Sequence, residues 1–146
     1  MTEYCRINLS LTSYSLYANA RLLTKEEVRG YFDSINDIYI DYCRHKKFKS
    51  VMPIFYEEFM DPKNDIIGYY DKHELVAWSL LDKLNGKNVE CVQFAWNYKK
   101  PNLKLGYKSI MHECAYYKNL GFDYLYLGES APYKSTFMGY EVLGEI

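Results

Sequence analysis

From Val89 to Leu127 the chain spells out an apolar strand, a lysine-rich loop, an amphipathic helix and a second strand, and this unit limits the fold more than any other segment. Two strands joined through a helix can lie parallel as a right-handed crossover, so a parallel pair with a helix on one face is expected here. The first strand is Val89 to Trp96. The helix starts at Gly106, and Tyr107, Ile110, Met111, Cys114 and Tyr117 form its apolar face. His112 and Glu113 read as lying off that face, in solvent. Gly121 stops the helix, and Phe122 to Leu127 returns as a strand.

Upstream, Cys5 to Leu11 alternates weakly and reads as a first strand. Thr24 with Glu27 forms a capping box that opens a helix, with Val28, Phe32, Ile35, Tyr39 and Tyr42 on one side until about His45. Ser50 is the expected cap of a second helix, with Pro53 tolerated early and Ile54, Phe55 and Phe59 turned inward. Beyond Asp61 to Asn64 the period changes to that of strands. Ile66 to Tyr70 and Leu75 to Leu81 form a hairpin about the turn Asp71 to Glu74. Asn85-Gly86 is a tight-turn pair tolerant of positive φ, so Val89 to Trp96 should return antiparallel to Leu75 to Leu81. Pro132 begins a short helix to about Met138, Gly139 ends it, and Tyr140 to Leu143 is a last strand.

These elements predict an α/β (α+β) domain, residues 1–146, with a mixed, mostly antiparallel sheet flanked by helices. Lysine and arginine total 18 against 19 acidic residues, a net charge of -1, so there is no long-range field for nucleic acid and any polyanion must be met locally. Arg44, Lys46, Lys47 and Lys49 are a second basic cluster, a candidate to form one local patch with the loop lysines. No run is long and apolar enough for a membrane span, and the N-terminus lacks a signal-like segment, so a cytoplasmic location and no membrane partner are expected. Cys5, Cys43, Cys91 and Cys114 form no CxxC, and His45, His73 and His112 lack ligand spacing, so no metal is expected. Aromatic residues make up 18% of the chain, enough that some reach the surface as a homodimer contact.

The loop places Lys99, Lys100, Lys104 and Lys108 around a helix start, where free N–H groups and the helix dipole favour an anion. Gly106 leaves room for close backbone approach. The competing reading is a solvated basic loop.

The order of elements resembles the GNAT superfamily of acyltransferases across nearly the whole chain, with Asn97 to Leu127 carrying the likeness. Leu103-Lys104-Leu105-Gly106-Tyr107, Tyr124-Leu125-Tyr126-Leu127-Gly128 and Gly139-Tyr140 further resemble the C-terminal, GNAT-like half of arginyl- and leucyl-tRNA-protein transferases. The resemblance implies that the donor's phosphates lie at the helix start. Aligned on Gly106, Pro101 and Lys104 occupy the earlier positions of the family's phosphate motif. Phe94, Ala95, Trp96 and Asn97 would polarise the donor carbonyl, and Lys99, Lys100, Lys104, Leu105, Gly106, Tyr107 and Lys108 would hold its anionic part.

The same resemblance implies an acid in the short helix after the crossover strand. Tyr133 is the tyrosine there, although the family's register points nearer Ser135. Glu90 is the candidate base on the central strand, and Gln93 is read as facing the opposite side. Tyr31, Phe55, Tyr69 and Trp78 are the expected acceptor-binding residues.

The activity implied is N-acyl transfer from acetyl-CoA or another acyl-CoA to an amine of a small molecule or protein. An aminoacyl-tRNA donor is the first alternative, which makes tRNA a partner, and a non-catalytic binding module with this fold is the second.

Overall fold

A computed structural model describes residues 3–48 and 52–145. Seven strands form one sheet in the order β2-β3-β4-β5-β6-β1-β7. They are β1 (Glu3–Asn8), β2 (Ala20–Leu22), β3 (Asn64–Asp71), β4 (Glu74–Lys83), β5 (Asn88–Trp96), β6 (Tyr124–Glu129) and β7 (Tyr140–Glu145), and the helices are α1 (Lys25–Lys46), α2 (Tyr56–Met60) and α3 (Leu105–Asn119). Among the described residues only β5 and β6 pair parallel. The mixed, mostly antiparallel sheet with flanking helices is the architecture expected.

Each face of the sheet has its own core. Ile35 of α1 and Phe59 of α2 pack on Ile66, Trp78 and Leu80. On the opposite face Ile110, Cys114 and Tyr117 of α3 pack with Ile67, Tyr69, Leu81 and Leu125. Alternation along β4 sends Trp78 and Leu80 to one side and Ser79 and Leu81 to the other.

The capping box forms as read: the Thr24 side chain accepts from the Glu27 N–H at 3.1 Å, and the Glu27 carboxylate accepts from the Thr24 N–H at 3.0 Å. The β3–β4 hairpin and the antiparallel return of β5 are also present. The mechanism of the β4–β5 turn differs. Neither Asn85 nor Gly86 takes a positive φ. Instead the Asn85 side-chain oxygen accepts from the N–H groups of Lys87 (2.8 Å) and Asn88 (2.9 Å), so a side chain closes the turn.

Other boundaries move for local reasons. β1 stops at Asn8, whose side chain accepts from Ser10 N and starts a 3-10 turn over Leu9–Leu11. α2 is one short turn from Tyr56, and the proposed cap Ser50 lies outside the described residues. The unanticipated β2 pairs with β3 at the sheet edge. The short helix after β6 is 3-10, Pro132–Thr136.

Gly139 closes that segment at φ 76°, its carbonyl accepting from Asn8 N at 2.8 Å. A β-carbon there would stand 2.4 Å from the Asn8 carbonyl oxygen. Gly139→Ala should therefore lower stability by about 3 kcal/mol, roughly 10 °C in melting temperature, because a left-handed backbone and a backbone clash act together. A thermal melt checks it; a change within about 2 °C would show that β1 yields easily.

Candidate functional site

The parallel pairing of β5 with β6 covers only Asn88–Glu90 against Tyr124–Tyr126, while β5 continues to Trp96 and β6 to Glu129. Beyond Glu90 the two strands part. A bulge in β5 accompanies the parting: Leu80 pairs with Gln93 and Leu81 with Cys91, leaving Val92 without a partner on β4. The bulge also overturns the alternation argument for Glu90 and Gln93. Glu90 opposes Asp82 and Gln93 opposes Leu80, so both occupy one face of the sheet.

Two cavities fill the wedge and meet at Phe94, Gly106 and Tyr133. The outer one, about 710 Å³, is bordered further by Tyr42, Lys46, Trp96, Lys104 and Tyr107. The inner one, about 160 Å³, is bordered by Cys91, Val92, Gln93, Ser109, Ile110, Glu113, Leu127 and Lys134, besides the shared residues. Together they make a cleft that starts at the N-terminus of α3 and ends beneath it.

Of the expected donor-binding residues, Phe94, Trp96, Lys104, Leu105, Gly106 and Tyr107 do border the cleft. The others do not. Ala95 pairs with Trp78 and is buried in the α1-side core. Asn97 is occupied within its loop, its N–H donating to Val76 O and its side chain accepting from Lys99 N, and Lys99 is exposed. Lys100 is ion-paired with Asp71 at 2.8 Å and Glu74 at 3.6 Å, on the β3–β4 hairpin. Lys108 lies on another side of α3, 5.3 Å over the Tyr17 ring. The cationic part of the mouth is thus Lys104 with Lys46, which the end of α1 brings across to it.

Lys104 stands where the resembled motif has glycine, and it keeps the backbone conformation that glycine would take. It precedes α3 with φ 52° and ψ 47°, the left-handed conformation in which glycine is at ease. Holding a lysine there costs about 1–2 kcal/mol. Gly106 itself has an ordinary φ, a β-carbon added to it would have nothing within 4 Å, and it borders both cavities.

Tyr133 stands at the junction of the cavities, packed edge-on against Tyr107 at 5.8 Å. Tyr133 is 41% exposed; partial burial, with smaller contributions from Tyr42 and Cys91, raises its phenol to about 12, and it keeps its proton at ordinary pH. Ser135 is turned into its own helix, donating to Pro132 O at 2.7 Å. Glu90 does not share the cleft. It borders a separate cavity with Tyr4, Cys5 and Tyr126, and burial together with Asp82 raises its pKa.

The four expected acceptor residues do not converge. Trp78 is fully buried, donating to Ile35 O at 3.0 Å, and Tyr69 is fully buried on the opposite face. Tyr31 borders an edge cavity with Arg21 and His73, and Phe55 is exposed before α2. A high aromatic content filled both cores first.

Sequence reasoning missed Glu113. Rather than being solvated, it is 1% exposed, and His112 is 5% exposed. The segment leading from β1 to β2 covers α3 from outside: Tyr17 N donates to His112 Nδ1 at 3.0 Å, and Lys118 Nζ donates to Thr12 O. Glu113 Oε2 accepts from Tyr69 OH and Ser79 Oγ, each at 2.7 Å, while Oε1 has no partner among the described residues. Burial raises its pKa to about 7 against the opposing pull of these hydroxyls and of the nearby Cys91 thiol, a weak donor outside ordinary hydrogen-bond geometry. A signal was present, since Ile110, Glu113, Cys114 and Tyr117 follow i, i+3, i+4, i+7 spacing. Among the described residues no cluster of three or more His, Cys, Asp or Glu side chains could hold a metal, and no helix is long and apolar enough to cross a membrane.

The splayed parallel pair, the bulged strand and the helix start beneath them define the GNAT fold, and solved structures agree. The L-PGS of Bacillus licheniformis superposes with a TM-score of 0.67 at 12% identity, over 88% of this chain and 46% of that one. A GCN5-related N-acetyltransferase from Kribbella flavida gives 0.61 at 13% identity, over 97% and 54%. The Saccharomyces cerevisiae N-myristoyltransferase with bound myristoyl-CoA gives 0.62 at 12% identity, over 87% and 43%. The chain spans about half the length of these proteins. Comparison with curated protein sequences gave no match. The family model described as arginine-tRNA-protein transferase, C terminus, matches residues 14–144, and the chain belongs to that family.

Proposed function

We propose that this protein is an N-acyltransferase that draws an activated acyl donor into the β5–β6 cleft and passes the acyl group to an amine. The observation that carries this is the parting of β5 from β6 directly over the N-terminus of α3. Beyond Glu90, the N–H groups of β5 that point toward β6 have no ladder partner there, and such donors polarise a carbonyl. The amine then attacks the carbonyl carbon, and the bond from that carbon to sulfur or oxygen breaks. Tyr133 gives its proton to the departing thiolate or alkoxide, and the proton shed by the amine nitrogen returns to Tyr133 through water. Lys46 and Lys104, with the first N–H groups of α3, suit the donor's phosphates.

Acyl-CoA is the first donor in this reading, supported by a small mouth with two cations and by a fold shared with a protein solved with myristoyl-CoA. Aminoacyl-tRNA is the second, supported by the family match over residues 14–144.

A thermal-shift panel of CoA, acyl-CoAs and charged tRNAs separates them. A donor at about a hundred times its Kd should add about 2.7 kcal/mol of stability, a shift of several degrees. Lys104→Ala should weaken binding roughly five-fold, by about 1 kcal/mol. Gly106→Leu should abolish binding without loss of fold, because a β-carbon there has nothing within 4 Å and the position borders both cavities. Absence of any shift with both donor classes would overturn the proposal.

A further inference from the structure

Cys91 is the one cysteine of the chain that is only half-buried, and the space it borders is the inner cavity. Cys5, Cys43 and Cys114 are buried. Cys91 stands where β5 leaves β6 and bulges, so it belongs to the stretch whose N–H groups are free to polarise a carbonyl. Paired opposite Leu81, it packs on the α3 side of the sheet.

Glu113 borders the same cavity from α3 and is 1% exposed. Its Oε2 accepts from Tyr69 of β3 and Ser79 of β4, whereas Oε1 has no partner of ordinary geometry among the described residues. The Cys91 thiol lies against this carboxylate as a weak donor, and its other acceptor is Gln93 O at 3.8 Å. The remaining titratable neighbours are occupied or neutral. Lys134 donates to Leu127 O at 3.0 Å and Glu129 O at 2.6 Å, the Tyr117 hydroxyl donates to Asp65 at 2.7 Å, and the Tyr133 phenol keeps its proton.

A thiol beside a carboxylate with a free oxygen is an arrangement that serves nucleophilic catalysis, because the base takes the proton as the sulfur attacks. Burial and the charge of Glu113 keep the resting Cys91 a thiol, so it needs such a base to react. Burial also holds Glu113 near 7, where a base is largely ionised at ordinary pH and still draws a proton strongly.

Resting on the acyltransferase reading, we infer that Cys91 is a nucleophile with Glu113 as its general base, and that the acyl group crosses from donor to amine as a thioester on Cys91. The single displacement thereby becomes two. In the first, the Cys91 sulfur bonds to the acyl carbon and its proton passes to Glu113. The bond from that carbon to the donor's sulfur or oxygen breaks, and Tyr133 protonates the leaving atom. In the second, the amine nitrogen bonds to the carbon, the bond to Cys91 sulfur breaks, and Glu113 returns the proton to that sulfur. The proton shed by the amine restores Tyr133 through water.

To test this, the protein is mixed with acetyl-CoA in one arm and arginyl-tRNA in the other, without an amine, quenched in acid and mapped by mass spectrometry. The donor that reacts should leave its acyl group on Cys91, in a bond that hydroxylamine cleaves. Glu113→Gln, which keeps an acceptor for Tyr69 and Ser79, should slow this step by roughly 100-fold or more, and Cys91→Ala should lower amine acylation by as much. The adduct on the unaltered protein decides the matter even where a variant fails to fold. Acylation of an amine with no adduct, or intact in Cys91→Ala, overturns the inference and leaves the transferase reading standing. An adduct formed as fast in Glu113→Gln overturns the pairing. If neither donor binds, the transferase reading falls, and iodoacetamide decides the pair. Alkylation of Cys91 should rise through a limb near pH 7 and level off, and Glu113→Gln should lose that limb. A rate that climbs steadily with hydroxide in both forms overturns the inference.

Discussion

Glu113→Gln should flatten the acid-to-neutral stability profile of the protein. The unfolded carboxyl titrates near 4.5 and the folded one near 7, so the folded state holds a proton that the unfolded state has lost across that window. Stability from this group is fully present below about pH 4.5, falls as pH rises, and has gone above about pH 7.5. The separation amounts to about 3 kcal/mol, and solvent does not dilute it because the group is buried. Denaturant melts of both forms at acid and mildly alkaline pH would check it. The glutamine form should gain about 3 kcal/mol on the wild type between those limits. His112, whose pKa burial lowers, acts in the opposite direction, losing stability as pH falls, and it cancels in the difference. Parallel profiles would show that Glu113 remains ionised, and so finds a cation or water in the cleft.

Tyr133→Phe should lower kcat by roughly 100-fold or more with the KM for donor little changed, since proton donation matters in the transition state and not on binding. The loss should shrink with an aryl thioester, whose leaving group needs no proton. Among the described residues the Tyr133 hydroxyl has no hydrogen-bond partner, so its removal should leave the melting temperature within about 2 °C. Unchanged turnover at saturating substrate would remove Tyr133 from the chemistry. Wild-type activity should show no limb from this phenol below about pH 10, because its pKa stands near 12.

Most of the fold was legible because its signals are local. Thr24 and Glu27 cap each other within one helical turn, Asp71 to Glu74 reverses a hairpin, and Gly121 ends α3 in a left-handed conformation at φ 89°. The site was legible only in part. Lys104, Gly106 and Tyr133 do border the cleft, because they lie at a helix start and in a short helix that a strand-helix-strand unit must place at one sheet end. Glu90 was misplaced because pairing alone decides which cavity its strand borders, and Gln93 because a bulge shifts parity without any glycine or proline to announce it.

The sequence by itself determined the antiparallel hairpins, the crossover around α3 and the presence of a cationic loop at that helix's start, since each follows from spacing within a few residues. Tertiary structure alone decided where the strands part and what lies in the gap. It assigned Lys100 to Asp71, brought Lys46 from the end of α1 to the mouth, and buried Glu113 beneath α3. The physical reason is that desolvation and ion pairing depend on every element packed against a side chain, and the outer cover of α3 comes from a segment about a hundred residues away along the chain.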